Sequence, residues 1–203
     1  AVCSQLTVHL VPPVLTKAKA QSHLATVLSK LGVDELTTDF HPSSWRERMF
    51  DRVMKLYPTH EECDSAVCRR ILFQYGEVFR HDKINEATHR AIHEIFGPAN
   101  LTTFRHMTRM MREGHSVAAD GEESYLPHVE RLRIPIAFLQ GAENRMFLPE
   151  GSAKTYEWLC QHNGNELYRR DVFPTYGHLD CFIGRDAARD IFPTLLRELE
   201  AHA

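Results

Sequence analysis

Residues 134–144 read IPIAFLQGAEN, and this stretch decides the fold. The run that ends at Gln140 is apolar almost throughout and is bounded by Pro135 and Gly141. A short, continuous apolar run of this kind is typical of a strand buried on both faces, as strands are in a parallel sheet. We therefore expect a buried parallel strand here, with the polar residues of GAEN in the loop that follows it.

A second strand is predicted one helix further along the chain. Residues 152–161 have helical spacing, and residues 167–173 are predicted as a strand that ends at Pro174. Residues 185–201 are predicted as a final helix that Pro193 breaks or kinks. This alternation of strands and helices indicates right-handed crossovers in a parallel sheet.

The N-terminal segment is predicted as one more strand. Residues 2–11 alternate roughly between apolar and polar side chains, and Pro12 and Pro13 end the pattern. The segment has no basic leader and no cleavage signal, which favours a strand over a signal peptide. Because the chain begins inside an apolar strand, we expect that it is part of something longer.

The segment between these strands is predominantly helical. One helix is predicted over residues 14–31, with Gly32 as its terminator. Further helices are predicted behind four capping residues, which are Ser44, Thr59, Asn85 and Asn100. The predicted organisation is a core strand in residues 1–12, a helical lid or cap region in residues 13–130, and a βαβα unit of an α/β core in residues 131–203.

The composition excludes several classes of protein. The net charge is −3 and the sequence has no block of Lys and Arg, so nucleic acid is a poor candidate partner. No apolar run approaches the roughly 18 residues of a transmembrane segment. Five cysteines occur without a CxxC pair, which is typical of reduced thiols in a cytoplasmic protein. They are Cys3, Cys63, Cys68, Cys160 and Cys181.

Two loops carry residues with catalytic chemistry. Glu143 and Asn144 follow the first predicted strand, and His178 follows the second in the sequence TYGHLD. Because the carboxyl ends of parallel strands meet at one edge of a sheet, an acid and a histidine at these places are expected to lie close together. A carboxylate there would orient the imidazole, which would act as a general base toward a hydroxyl. Asp180 is predicted to support the loop or to cap the following turn, not to catalyse.

The sequence resembles a known family around these loops. PIAFLQGAENRMFLPEGS (135–152) and FPTYGHLDCFIGRDAARDIFPTLL (173–196) look like the C-terminal end of α/β-hydrolases. They are more narrowly similar to the hydrolase-like region fused behind glucose–methanol–choline-type flavin oxidoreductases of the cholesterol-oxidase-like kind. The resemblance covers nearly the whole chain. It implies the C-terminal half of an α/β-hydrolase parallel sheet with a helical lid or cap insertion.

The resemblance also implies roles for the loop residues. His178 matches the triad histidine, and the acid position of the family falls on Asn144, one residue after Glu143. Either Glu143 serves as the acid or the acid has degenerated. An asparagine cannot supply the negative charge that stabilises an imidazolium, although it can still hold the ring. Our interpretation of the sequence favours Glu143.

The nucleophile of such a triad is missing from the sequence. No G-x-S-x-G motif occurs, and Ser4 lies in a predicted strand, so the serine is expected outside this chain. The family resemblance then implies an ester, lipid or sterol-like substrate. It also implies as partner the N-terminal half of the fold or a second copy of the chain.

Three functional hypotheses follow. The first is the half of an ester- or lipid-directed hydrolase that supplies the acid and the histidine. The second is an accessory and inactive C-terminal domain of a flavin-dependent oxidoreductase. No G-x-G-x-x-G occurs in this chain, so any FAD is expected upstream. The third is a binding protein, whose open sheet edge predicts oligomerisation.

Metal binding and a ligand pocket are the remaining questions. His89 and His93 share a helical face in the sequence HRAIH, but the glutamate of HExxH is lacking, so no metal is expected. A set of aromatic and methionine side chains is predicted as core, with lining of a pocket under the lid as the alternative. They are Trp45, Phe50, Phe73, Phe79, Phe104, Met107, Met110 and Met111.

Overall fold

Three parallel strands form the sheet on which the rest of the chain is arranged. The computed structural model describes residues 1–60 and 63–201. Its strands are β1 (Val2–Ser4), β2 (Glu35–Leu36), β3 (Ala99–Asn100), β4 (Ile136–Gly141) and β5 (Tyr168–Phe173). The parallel sheet has the order β1-β4-β5, while β2 and β3 form a separate antiparallel pair. The predicted mixed α/β class with a parallel sheet is confirmed.

The register of the sheet brings three loops to one edge. β4 is the central strand, and all six of its residues are buried. Its last residue, Gly141, lies opposite Phe173 at the end of β5, and Leu139 lies opposite Ser4 at the end of β1. The loops that follow β1, β4 and β5 therefore leave the sheet side by side, as the parallel arrangement requires.

The first strand is shorter than the sequence predicts. The prediction extends to residue 11, but β1 ends at Ser4, because the next residue, Gln5, has a φ of 56°. This left-handed conformation cannot continue a strand. The chain then runs along another segment, where Leu10 N–H donates to Gly114 O at 2.8 Å and Ser116 N–H donates to Val8 O at 2.8 Å.

Short helices occupy most of the chain between β1 and β4 and cover the sheet after it. In the part of the chain that the structure describes, the α-helices are α1 (Val14–Gln21), α2 (Leu24–Lys30), α3 (Trp45–Met54), α4 (Ala66–Tyr75), α5 (Glu86–Arg90), α6 (Ile92–Ile95), α7 (Leu101–Glu113), α8 (Glu150–Asn163), α9 (Asp180–Ile183), α10 (Ala187–Asp190) and α11 (Phe192–Glu200). Short 3-10 turns lie at His81–Lys83, Leu126–Leu132 and Asn165–Leu167. None of the helices in the described residues is long and apolar enough to cross a membrane.

The capping residues predicted from the sequence are mostly correct. The side chains of Ser44, Asn85 and Asn100 accept hydrogen bonds from the N-termini of α3, α5 and α7. The cap predicted at Thr59 is wrong, since α4 begins later and Ser65 caps it. Two residues of that predicted cap, 61 and 62, lie outside the described residues. The caps are predictable because side-chain oxygens must replace the missing backbone partners of the first turn.

One helix predicted as continuous is broken, and the break predicted near Pro193 in the C-terminal helix is confirmed. The helix predicted over residues 14–31 is divided into α1 and α2 by His23, whose φ of 55° is left-handed. The C-terminal helix is divided at Ile191, and Pro193 lies in the first turn of α11. A proline is tolerated there because the first-turn N–H groups have no partner within the helix.

Three clusters of buried side chains hold the elements together. One face of the sheet packs against α8 through Ile136, Phe138, Leu159 and Tyr168. The other face packs through Leu139, Tyr176, Cys181 and Ile191. The third cluster lies in the helical region and consists of Cys68, Ile71, Val78, Phe79, Ile84 and Ile92, with Leu179 and Met146 packed against it. The helical region therefore has its own core, which contacts the loops at the edge of the sheet.

Candidate functional site

The loops after β4 and β5 touch directly through two glycines. A Cβ on Gly141 would collide with the carbonyl oxygens of Tyr176 and Gly177. Glu143 N–H donates to Tyr176 O at 2.8 Å, and Ala142 N–H donates to Phe173 O at 3.0 Å. A side chain at position 141 would force these loops apart, so the glycine is required for the close approach.

Asn144 and His178 meet at this edge. The Asn144 side-chain Nδ2 lies 3.1 Å from His178 Nδ1, and Asn144 is 1% exposed. No other hydrogen bond to the His178 ring occurs among the described residues. The predicted meeting of the two loops is therefore present, with an amide where a triad would hold a carboxylate.

The hydrogen bonds around Asn144 fix the orientation of its amide. The Asn144 Oδ1 accepts from the backbone N–H groups of Met146 at 3.0 Å and Phe147 at 3.2 Å. Its Nδ2 donates to Gln5 Oε1 at 2.8 Å. Since only Oδ1 can accept the backbone bonds, the group that faces His178 is the NH₂ donor.

This orientation determines the proton position on His178. An NH₂ donor can only be matched by an unprotonated Nδ1, so in the neutral ring the proton is on Nε2. A general base of the triad type needs the reverse, with the proton on Nδ1 and the lone pair on Nε2. Burial also lowers the pKa of His178 to about 4, so the ring is neutral at pH 7.

Gln5 completes the network and was not identified from the sequence. Its Oε1 accepts from Gly141 N–H at 3.3 Å as well as from Asn144, and its Nε2 donates to Cys181 Sγ at 2.9 Å. The left-handed backbone at the end of β1 places this buried amide under the two loops. The one signal for it in the sequence is its place at the carboxyl end of a strand, but the sequence predicts the end of that strand seven residues too late. We call Gln5, Asn144 and His178 the sheet-edge site.

Glu143 points away from the sheet-edge site. Its side chain is 42% exposed, and its Oε2 lies 3.9 Å from Arg80 Nη1 and 3.9 Å from Arg145 Nη2. Among the described residues it makes no hydrogen bond with His178. The sequence favours Glu143 as the group that orients the histidine, but in the structure the neighbouring Asn144 makes this contact.

Asp180 supports the histidine loop, as the sequence predicts. Its carboxylate is fully buried, and Oδ2 accepts from Gly177 N–H at 2.7 Å. Burial raises the pKa of Asp180. Its contact with the backbone at Gly177 constrains the turn that leads to His178.

An apolar cavity of about 550 Å³ lies among the helices and extends to Met146, two residues from Asn144. Part of the predicted aromatic and methionine set lines it, namely Phe73, Phe104, Met107 and Met111. Phe79 belongs instead to the buried core, and Trp45 lies on the outer face of α3, where it is 61% exposed. The cavity has the size and apolar lining of a small-molecule site.

A second group of reactive side chains lies in the helical region. One potential ligand atom each from Cys63, Cys68, His81 and His89 lies within 4.8 Å of the others. We call these residues the Cys–His cluster. The sequence predicts no metal here, and its helical spacing pairs His89 with His93 instead. His93 is exposed, and its Nδ1 contacts Arg90 O at 3.1 Å.

No family model matches the chain, and no curated protein matches it. The relationship to α/β-hydrolases and flavin oxidoreductases therefore stays a prediction from the motifs of this sequence. The catalytic roles of His178, Glu143 and Asn144 likewise stay predictions.

Proposed function

We propose that this chain is an α/β-hydrolase-like module that does not hydrolyse esters and that serves as an accessory domain of a larger, flavin-dependent oxidoreductase. The observation that carries the proposal is the Asn144 amide, which donates toward His178 Nδ1. In this role the sheet-edge site holds the two loops together and presents a hydrogen-bond donor at His178 Nε2.

The electrostatics of the site favour a structural role over catalysis. A triad acid stabilises the imidazolium that forms during acyl transfer, and its replacement by asparagine lowers the turnover of a serine protease about 10⁴-fold. The pKa of His178, about 4 against an ordinary value near 6.5, corresponds to roughly 3 kcal/mol against protonation. Both effects oppose the transfer of a proton to the His178 imidazole, which acyl transfer would require.

The apolar cavity supports a ligand of sterol or lipid character. Its volume of about 550 Å³ lies within the range of about 300–1,000 Å³ that small-molecule sites occupy. In this proposal the module binds an apolar alcohol or a related molecule for a flavin domain elsewhere, and the FAD is bound by that domain. The sequence contains no G-x-G-x-x-G of its own.

The alternative function is the C-terminal half of an ester or lipid hydrolase. The parallel order β1-β4-β5 and the meeting of the two loops favour it, because they match what a triad acid and histidine require. In that case a serine from the N-terminal half of the fold, or from a second copy, would complete the site. The imidazole would also have to move its proton from Nε2 to Nδ1.

The tautomer of His178 distinguishes the two functions. Long-range ¹⁵N–¹H correlation on the full chain reports which ring nitrogen carries the proton, and a His178→Gln variant assigns the signal. We expect the Nε2–H form at pH 7 and a pKa well below 6.5. A ring protonated at Nδ1 at pH 7 would contradict the proposal.

An activity measurement provides a second check. Hydrolysis of a short-chain p-nitrophenyl ester by the full-length protein and by His178→Ala should proceed at equal rates if the module is not hydrolytic. A rate that falls by tenfold or more in His178→Ala would establish the hydrolase alternative instead.

A further inference from the structure

The Cys–His cluster brings four side chains together from three segments. Cys63 precedes α4, Cys68 lies in its first turn, His81 begins a 3-10 turn, and His89 lies on α5. His89 Nε2 is 3.5 Å from Cys63 Sγ and 3.2 Å from Cys68 Sγ, and the rings of His81 and His89 have centroids 5.2 Å apart. Cys68 is buried and the other three are half-buried.

We propose that Cys63, Cys68, His81 and His89 bind one Zn²⁺ as a closed structural site. A tetrahedral Zn²⁺ has Zn–S distances of about 2.3 Å and Zn–N distances of about 2.0–2.1 Å, which put neighbouring ligand atoms about 3.3–3.8 Å apart. The two S···N distances in the structure, 3.5 and 3.2 Å, lie within and just below this spacing. Four protein ligands leave no open position for substrate, so the site is structural, not catalytic.

The ligand types select the metal. Two thiolates and two imidazoles in a tetrahedral arrangement are preferred by Zn²⁺, while Mg²⁺ and Ca²⁺ prefer oxygen ligands. All five cysteines are free thiols in the structure, so Cys63 and Cys68 are available as ligands. The spacing C-x₄-C is looser than the usual C-x₂-C, and the histidines come from elements that fold against α4.

The backbone around the two cysteines is already arranged for metal binding. Ser65 N–H donates to Cys63 Sγ at 3.4 Å, which is a contact that supports a thiolate ligand. Ser65 Oγ accepts from Cys68 N–H at 3.3 Å and so fixes the start of α4. Arg69 donates to Cys63 O at 3.0 Å and is itself held by a bidentate pair with Asp51.

The segment that carries His81 packs directly against the loop that carries His178. Val78 O, three residues before His81, accepts from Leu179 N–H at 2.7 Å. Phe79 packs on the His81 ring and belongs to the core of the helical region. A metal that fixes residues 63–89 therefore also fixes the surface on which the His178 loop is packed. This inference does not depend on the proposed function.

Metal content of the full chain tests the site directly. The protein is expressed in zinc-supplemented medium, purified without chelator and measured by elemental analysis. We expect one Zn²⁺ per chain, and a loss of at least tenfold in Cys68→Ser and in His89→Ala. Matched controls are Cys160→Ser and His93→Ala, which alter a thiol and an imidazole outside the cluster and should retain the metal.

A measurement on the unaltered protein covers the case in which the variants fail to fold. After removal of zinc with a chelator, titration with Co²⁺ should give thiolate-to-cobalt charge transfer and the absorption of a tetrahedral complex, saturating at one equivalent. A Co²⁺ spectrum without thiolate bands would overturn the proposal, as would a zinc-free chain or a Cys63–Cys68 disulfide in freshly purified protein.

Discussion

The sheet-edge site and the Cys–His cluster differ in how their position in the fold and their residue types relate to a function. The sheet-edge site has the position of a catalytic pair, but Asn144 supplies an amide where an acid is needed. The Cys–His cluster has no motif spacing in the sequence, yet its four potential ligand atoms lie within 4.8 Å of one another. Position along a strand predicts where residues meet, while the residue type decides what they can do.

The two regions also differ in how they are held. At the sheet edge the loops are fixed by backbone contacts at Gly141 and by a network of neutral amides from Gln5 and Asn144. Around the Cys–His cluster the fixed element is an ion pair between Asp51 and Arg69, with side chains 12–13% exposed. Changes to backbone shape should therefore disturb the first region most, and changes to charge the second.

The largest expected effect comes from Gly141→Ala. The new Cβ would collide with carbonyl oxygens of the opposing loop, so we expect the free energy of unfolding to fall by about 4 kcal/mol, as measured by denaturant titration. Gly97→Ala is the matched control, because nothing lies within 4 Å of its added Cβ. A loss below about 1 kcal/mol at position 141 would mean that the two loops are not held in close contact.

The ion pair beside the Cys–His cluster gives the next largest effect. Asp51→Ala leaves Arg69 nearly buried without its carboxylate, which should cost about 3 kcal/mol of stability. Because Arg69 also binds Cys63 O, we expect the Kd for Zn²⁺ to rise about 10- to 100-fold in a competition titration.

The control for this variant lies on the same helix. Glu47→Ala removes a more exposed carboxylate that pairs with Arg70 at 3.3 Å. Because the Arg70 side chain is only 8% exposed, losing its carboxylate should also cost about 3 kcal/mol, while the zinc affinity should change by no more than about threefold. Equal zinc affinities in the Asp51 and Glu47 variants would show that the ion pair does not support the cluster.

The sequence predicts the sheet better than it predicts the two sites. The continuous apolar run of β4 and the position of His178 after β5 were sufficient to place the loops together. The sequence does not show whether Glu143 or Asn144 contacts His178. That depends on the shape of one turn, in which the backbone N–H groups of Met146 and Phe147 bind the Asn144 amide oxygen. The Cys–His cluster was missed because its ligands come from segments with no fixed spacing. The break at His23 depends on a backbone conformation that helical periodicity does not reveal.

The dependence of the free energy of unfolding on pH shows whether His178 is buried as a neutral ring or paired with a negative charge. The pKa of His178 is about 4 in the folded chain and near 6.5 when unfolded, so the unfolded chain binds more protons between these values. The free energy of unfolding should therefore fall as the pH is lowered from 6.5 to 4. We expect a contribution of about 2 kcal/mol from this residue, below the full value because the ring is partly exposed.

The difference between the unaltered chain and His178→Gln isolates this contribution. Other groups that titrate in the same range, such as His9, whose pKa burial also lowers, cancel in the difference. A difference profile that rises toward low pH would mean that His178 gains a negative partner in solution, as in a working triad.

The smallest expected effect is on stability, and it comes from a variant that removes a helix cap and leaves the metal ligands in place. Ser65→Ala removes the side chain that caps α4, which should lower the free energy of unfolding by about 1 kcal/mol. The backbone N–H of residue 65 remains and still donates to Cys63 Sγ, so the Kd for Zn²⁺ should stay within about threefold of its original value. Asn100→Ala, which removes the cap of α7, is the control and should cost a similar amount of stability. A tenfold loss of zinc affinity in Ser65→Ala alone would show that the cap, and not the backbone contact to the thiolate, positions Cys63 and Cys68.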